Sequence, residues 1–179
     1  MRPVVLSFNR KEVSIMHSKI CDACLKSGIF CNSCQGKIDS GEVSKTELDI
    51  AKFLFGLKDR IKSLEEASIL KVIDGRAIII ITEKGSAAKI VGKQGSVVKL
   101  LAKHFNKPIR VVEADDAKNF INNLIVPASA AVNVVYADGK ECYRIRVLKN
   151  QKNRLPLEPD EIRNVVEKLF SKSAEILFE

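Results

Sequence analysis

The sequence is poor in aromatic residues and in histidine. Phe, Tyr and Trp together make up 6% of its 179 residues, Trp is absent, and His occurs at only two positions. A protein that binds single-stranded nucleic acid mainly by stacking bases on aromatic side chains is therefore disfavoured. His17 and His104 also lie in no motif that would pair them with a nucleophile. We expect a protein without enzymatic activity.

Long hydrophobic runs are missing as well. No apolar stretch approaches the roughly 20 residues that a membrane-spanning helix needs. The apolar patch Val4 to Phe8 is too short for the core of a signal peptide. We therefore expect a cytoplasmic protein with no membrane partner, in which residues 1–18 form a flexible extension. Neither G-x-x-x-x-G-K-S/T nor G-x-G-x-x-G occurs, and we expect no small-molecule substrate.

Acidic residues are in the minority. The chain has 30 Lys and Arg against 22 Asp and Glu, a net charge of +8 and a pI near 9.3. One stretch holds seven basic residues and no acidic one: Lys84, Lys89, Lys93, Lys99, Lys103, Lys107 and Arg110. This distribution favours an anionic partner, most commonly nucleic acid, although a solvated basic surface is the alternative.

Four of the five cysteines are clustered in "CDACLKSGIFCNSC". They form a C-x2-C-x6-C-x2-C array of Cys21, Cys24, Cys31 and Cys34. Each C-x-x-C pair can place two thiolates on one tetrahedral ion, and four thiolates close a structural zinc site. We predict one structural Zn²⁺ per chain in a module of residues 19–43. Two disulfides, a redox pair or an iron–sulfur cluster are the alternatives.

The remaining sequence alternates helical and strand patterns. "SKTE", residues 44–47, is a capping box that predicts a long helix over about 45–67. Asp74-Gly75 between β-branched runs predicts a hairpin, because both residue types tolerate positive φ. The apolar run 77–81 predicts a buried central strand. A short helix at 86–91, a second helix at 96–105 and the strand "IRVVE" follow.

Two glycines, Gly92 and Gly95, interrupt what could have been one helix. Glycine inside a helix costs about 1 kcal/mol relative to alanine, so the pair requires a reason. A bend without side chains lets a sugar–phosphate backbone approach closely, and the start of the second helix presents free N–H groups to it. A helix–turn–helix whose glycines allow close packing is the alternative.

The order helix, strand, strand, helix, GxxG, helix, strand resembles a type II KH domain over residues 44–114. The match includes Ile90-Val91 before the loop and Val98 and Leu101 after it. With four cysteines in front, the chain resembles archaeal NusA-like KH proteins. The resemblance implies that the loop clamps about four nucleotides, with the bases over a groove formed by Ile90 and residues 109–111. The residues expected to contact RNA are Lys89, Ile90, Gly92, Lys93, Gln94, Gly95, Ser96, Lys99, Lys103 and Arg110.

The same order recurs 64 residues later without the loop. Asp74-Gly75 maps onto Asp138-Gly139, the helix 95–105 onto 159–169 and the strand 108–113 onto 172–177, with a leading helix at 115–124. Gly92 and Gly95 map onto Pro156 and Pro159, which offer no N–H donors. Residues 115–179 are therefore predicted to form a degenerate KH-like unit. Its basic strip, which either contacts phosphates or is merely solvated, comprises Arg144, Arg146, Lys149, Lys152 and Arg154. Cys142, alone in a predicted strand, is expected to be a packed thiol.

We thus predict an α+β fold: a zinc knuckle, a long helix, a type II KH domain (αββααβ) and a degenerate second KH-like unit. The resemblance implies binding of single-stranded RNA in transcription elongation or termination, with the nascent transcript and RNA polymerase as partners. A ribosome-associated or assembly protein that uses the same face on rRNA is one alternative. A protein-interaction adaptor, for which RNA is incidental, is the other.

Overall fold

The computed structural model describes residues 18–137 and 139–179. Of the expected flexible extension, residues 1–17, which include His17, lie outside the described residues. The described chain is α+β, with seven α-helices and two three-stranded sheets. Two short helices, α1 (Asp22–Ser27) and α2 (Asn32–Asp39), come first. Among the described residues, no helix combines the length and the apolar character needed to cross a membrane.

Helix α3 (Lys45–Leu57) begins where the capping box predicts. The Ser44 hydroxyl accepts a hydrogen bond from the Glu47 N–H at 3.1 Å. The predicted extension of this helix to residue 67 is wrong. The backbone leaves the helical region at Ile61 (φ −129°, ψ 84°), and residues 62–66 form a 3₁₀ turn that buries Leu64. Apolar spacing could not separate these two conformations, since both place Ile61 and Leu64 against the core.

The first sheet has the order β1-β2-β3. Strand β1 (Ile69–Asp74) runs antiparallel to β2 (Ile78–Glu83), and β2 runs parallel to β3 (Ile109–Ala114). Helices α4 (Ala87–Val91) and α5 (Ser96–Phe105) connect β2 to β3. The predicted hairpin, central strand and pair of short helices are confirmed.

Strand β2 is buried on both faces. Ile78 and Ile80 belong to a core with α3, α4 and α5, whereas Ile79 and Ile81 belong to a second core with the C-terminal elements. This explains why β2 reads as a continuous apolar run instead of an alternating one.

The turn between β1 and β2 uses its glycine for a different reason from the one predicted. Gly75 is not among the residues with positive φ. A Cβ at Gly75 would instead lie 2.8 Å from Leu157 Cδ2 and 3.1 Å from the carbonyl oxygen of Pro156. The hairpin tip is therefore pressed against the C-terminal part of the chain, and the Arg76 Nη1 donates to the Asn153 carbonyl at 2.7 Å beside it.

The C-terminal elements repeat the first arrangement. Helix α6 (Ala117–Ile125) leads into β4 (Ala130–Ala137) and β5 (Lys140–Val147), and α7 (Pro159–Phe170) leads into β6 (Ser173–Phe178). The strand order is β4-β5-β6, antiparallel and then parallel, as in the first sheet. A 3₁₀ turn over 149–154 stands where α4 and the glycine loop stand in the first half. The predicted repeat of element order is confirmed.

Candidate metal centre and glycine loop

The four clustered cysteines converge on one point. Their Sγ atoms all lie within 4.8 Å of one another, with Cys21 Sγ 3.2 Å from Cys24 Sγ and 3.7 Å from Cys34 Sγ. All four are free thiols. Sulfurs arranged tetrahedrally at about 2.3 Å from an ion are about 3.8 Å apart, close to these separations. The cluster is therefore positioned to hold a metal ion.

Each C-x-x-C pair sits at the start of a helix. Cys21 precedes α1 and Cys31 precedes α2, and Gly28 ends α1 in the left-handed conformation (φ 75°) so that the chain turns back. The two pairs are cross-linked by backbone donors. The Cys31 N–H donates to Cys24 Sγ at 3.1 Å and the Cys21 N–H donates to Cys34 Sγ at 3.4 Å. Such donors stabilise sulfur in its thiolate form, the form that binds metal.

Two of the thiols differ in their tendency to ionise. The backbone N–H of Cys34 lowers the pKa of the exposed Cys31 to about 7, whereas burial raises the pKa of Cys34 to about 12. Because every ligand must be deprotonated, metal binding releases protons, with Cys31 the easier of these two to ionise.

The cysteine module shares a core with α3 and the first sheet. Its buried residues belong to the cluster that also contains the apolar face of α3; they are Ile20, Cys24, Leu25, Cys34 and Val43. Two ion pairs join the same surfaces, Lys19 with Glu47 at 3.5 Å and Lys58 with Asp22 at 3.7 Å. The shared core and the ion pairs thus anchor residues 19–43 on α3.

The glycine loop between α4 and α5 is an exposed bend of left-handed residues. Gly92 and Gly95 both have φ of 73°, and Gln94 between them has φ of 53°. The side chains of Lys93, Gln94 and Ser96 are exposed. The structure brings these predicted contact residues together on one surface.

The two glycines serve different purposes. A Cβ at Gly92 would lie 2.6 Å from Val97 Cγ2, so this glycine lets α5 pack closely against the bend. A Cβ at Gly95 would have Lys99 Cε, 4.0 Å away, as its nearest neighbour among the described residues. Gly95 therefore leaves open space in front of the start of α5. The predicted role in ligand approach fits Gly95, and the alternative of close helix packing fits Gly92.

The starts of α5 and α7 differ in charge. Helix α5 follows Gly95, and its first turn, Ser96 to Lys99, holds no acidic residue. Helix α7 begins with a capping box, in which the N–H of Glu158 donates to Glu161 Oε2 at 3.2 Å. Carboxylates therefore occupy the N-terminus of α7, whereas that of α5 faces solvent with lysines nearby. The sequence "EPDE", with Glu158 three residues before Glu161, is the local signal for this capping box.

The basic stretch divides into free and engaged cations. Lys84, Lys93, Lys99 and Lys103 are exposed and form no ion pair with any residue that the structure describes. Lys89 pairs with Glu66 Oε2 at 2.9 Å, and Lys107 pairs with Asp74 Oδ1 at 2.6 Å. The free lysines lie in the loop, on α5 and in the turn before α4.

Two of the residues predicted to contact RNA, Ile90 and Arg110, are engaged in contacts within the protein. Ile90 is fully buried in the first core, so it supports the loop from below. The Arg110 guanidinium donates to the carbonyls of Asn123, Leu124 and Val126 at the end of α6, and burial lowers its pKa. Neither side chain is free to contact a ligand in this conformation. Of the apolar residues expected to form the groove, Ile90 and Ile109 are buried and Val111 is half-buried.

A carboxylate that the sequence did not single out supports α4. Glu113, on β3, accepts hydrogen bonds from the N–H groups of Gly85 and of Ala87, the latter at 3.5 Å. It thereby caps the start of the helix that leads into the glycine loop. No spacing rule in the sequence links residues 85 and 113, because the contact joins the ends of β2 and β3, which are neighbours in the sheet but distant in sequence.

The C-terminal basic strip is partly neutralised. Arg144 pairs with Glu175 at 3.1 Å and Arg146 with Glu179 at 3.8 Å, while Lys152 lies over the Phe178 ring at 5.2 Å. These contacts favour the solvated alternative for the two arginines. Cys142 is buried in β5, as predicted for a packed thiol.

Comparisons with known proteins give little guidance. No family model matches the chain, and no curated protein matches it. A solved structure described as "Crystal structure of APE1850" is 20% identical, with 72% of this chain and 96% of that chain covered and a TM-score of 0.44. Because this TM-score is below 0.5, the likeness supports no conclusion about fold or function.

Proposed function

We propose that this protein binds single-stranded RNA without catalysing a reaction, and that residues 44–114 form a KH-like domain of type II. One observation carries the proposal: the exposed bend from Gly92 to Gly95 opens onto the uncapped, acid-free start of α5. The element order αββααβ, with a parallel β2–β3 pair, agrees with the order expected from the resemblance.

In this proposal the loop grips the nucleic-acid backbone. A phosphate lies in the open space in front of Gly95, where the first N–H groups and the positive dipole end of α5 face it. Lys93, Lys99 and Lys103 add affinity that falls with salt. Gly92 holds the bend in shape through its contact with Val97, and Ile90 supports the loop from the core.

Residues 115–179 do not grip a second phosphate in this proposal. Pro156 and Pro159 replace the glycines, and the carboxylates of Glu158 and Glu161 occupy the helix start that a phosphate would need. Each protein chain therefore offers one phosphate clamp, the glycine loop, to a single-stranded RNA.

The metal that we propose for the four-cysteine centre is one structural Zn²⁺ per chain. The four thiols of Cys21, Cys24, Cys31 and Cys34 would fill all four positions of a tetrahedral ion, which leaves none open for catalysis. When bound, zinc supplies a cross-link between α1 and α2 that a segment this small needs in place of a core of its own. Free thiols of this kind also suit a reducing compartment, and we place the protein in the cytoplasm.

Fluorescence anisotropy with short fluorescent RNAs tests the clamp. Gly95→Asp puts a carboxylate into the open space in front of α5, and we expect it to weaken RNA binding by roughly tenfold or more. Gly139→Asp is the matched control. Gly139 has a φ of 74°, close to the 73° of Gly95, and no described atom lies within 4 Å of its ideal Cβ, so Gly139→Asp adds the same charge at a similar φ in the second half. Equal affinities of the wild type and Gly95→Asp would sink the clamp.

The proteins and RNAs that co-purify with this protein test its cellular pathway. Co-purification with RNA polymerase and with nascent transcripts would support a factor of transcription elongation or termination. Co-sedimentation with ribosomal subunits would support the rRNA alternative. A protein that captures partners but binds no RNA would be an adaptor.

A further inference from the structure

Strand β4 is an open edge of the second sheet. It pairs with β5 along its whole length, and on its other side lies no strand of the described chain. Its sequence is "AAVNVVYA", and of the six strands in the described part of the chain it alone lacks a charged residue. The other edge strands carry charges of the kind that prevent edge-to-edge pairing, such as Lys71 on β1 and Glu175 on β6.

The apolar face of β4 becomes uncovered along its length. Val132, Val134 and Tyr136 share the face that packs on α6 and α7, since they stand opposite Ile145, Tyr143 and Glu141. Their exposed fractions rise from 6% to 52% to 75%. The Tyr136 hydroxyl donates to Glu141 Oε1 on β5 at 3.0 Å.

We propose that β4 pairs with β4 of a second copy of this chain, antiparallel about a two-fold axis, to form one continuous six-stranded sheet. Directly opposite residues of an antiparallel pair share a face. An axis at Val134 therefore sets Val134 opposite its own copy and Tyr136 opposite Val132. The exposed apolar side chains of the two edges then cover one another.

Charge favours a second copy over other occupants. The chain carries a net charge of +8, so two copies repel each other, and this repulsion is smallest where they meet along a strand without charged residues. Strand β4 offers such a place, and its neutral edge is complementary to itself. Because β4 carries no Lys or Arg, it offers no cation to an acidic partner or to RNA. The dimer does not depend on the proposed RNA binding, but it would join two glycine loops in one particle.

Sedimentation equilibrium over about 5 to 500 µM tests the dimer, since an edge pairing of this size is small and its association is expected to be weak. Val134→Lys puts two cations opposite each other, and Tyr136→Lys puts a cation opposite the apolar Val132. We expect both variants to remain monomeric. Ile29→Lys makes the same change at a residue that is 78% exposed outside the strands, and we expect it to dimerise like the wild type. Circular dichroism of each variant checks that it is folded.

Hydrogen exchange of the β4 amides gives a second measurement on the unaltered protein. The dimer predicts slower exchange in residues 130–137 as concentration rises, with no matching change in β6. A wild type that stays monomeric at every concentration overturns the proposal and leaves the edge to a strand of another protein. A dimer that persists in both Val134→Lys and Tyr136→Lys overturns it as well.

Discussion

The Phe53 ring in α3 stacks on the His104 imidazole in α5, with ring centroids 4.5 Å apart. Phe105 joins the same group, 6.2 Å from Phe53. Helix α3 also carries the cysteine module, through its shared core and through the Lys52 ammonium above the Phe30 ring at 5.2 Å. Helix α3 therefore supports both the helix that leads out of the glycine loop and the cysteine module.

The first prediction concerns the metal. We expect the purified protein to hold about one zinc per chain, and Cys24→Ser or chelation to release it and lower Tm by several degrees, because the module loses its cross-link. RNA affinity should fall less than in Gly95→Asp, since the cysteine module reaches α5 only through α3. Elemental analysis and thermal unfolding measure these effects.

Cys142→Ser is the control for the metal prediction. Cys142 is buried in β5 outside the cluster, so the same atomic change should leave the metal content unaltered. A protein that binds no metal and folds equally well after Cys24→Ser would rule out a structural centre.

A second prediction concerns the free lysines. Lys99→Met should reduce the slope of log affinity against log salt by about 0.7, the contribution of one phosphate contact on a single strand. Lys168→Met removes the same charge from α7, also at an exposed position, and should leave the slope unchanged. Anisotropy titrations at several salt concentrations measure both slopes. Identical losses in the two variants would mean that net charge, and not the loop face, attracts RNA.

The contact between the two halves gives a third prediction. Gly75→Ala places a methyl group 2.8 Å from Leu157 Cδ2 and 3.1 Å from a backbone oxygen, and we expect a loss of about 1–3 kcal/mol in the free energy of unfolding. Gly56→Ala is the matched control in α3, where no described atom lies within 4 Å of the added Cβ. It should stabilise the protein by up to about 1 kcal/mol. Urea denaturation compares the two, and a neutral Gly75→Ala would contradict the close contact.

The surroundings of Arg110 give a fourth prediction. Arg110→Met keeps most of the side-chain volume but removes the donors to three carbonyls at the end of α6, so stability should fall by about 1–3 kcal/mol. The salt slope of RNA binding should stay at the wild-type value, because the guanidinium is not offered to a phosphate. A reduced slope with unchanged stability would return Arg110 to the RNA surface.

Much of the architecture could be read from the sequence, because local patterns specify it. The capping box located the start of α3, the Asp-Gly pairs located both hairpins, and the cysteine spacing located the metal cluster. The end of α3 could not be read, because a 3₁₀ turn continues the apolar spacing of a helix.

What the sequence alone determined is the order of the strands and of the helices beside them, and the residue types at the turns: the four thiols, the GxxG bend, the prolines that replace it in the second half and the surplus of cations. These follow from short-range backbone preferences and charge. Only the tertiary structure decided what each residue faces. In the structure Arg110 contacts the end of α6 and Ile90 is buried. Gly92 packs against Val97, whereas Gly95 faces open space, and the uncharged strand β4 lies at the edge of its sheet. Those outcomes depend on contacts between segments distant in sequence, and no local pattern encodes them.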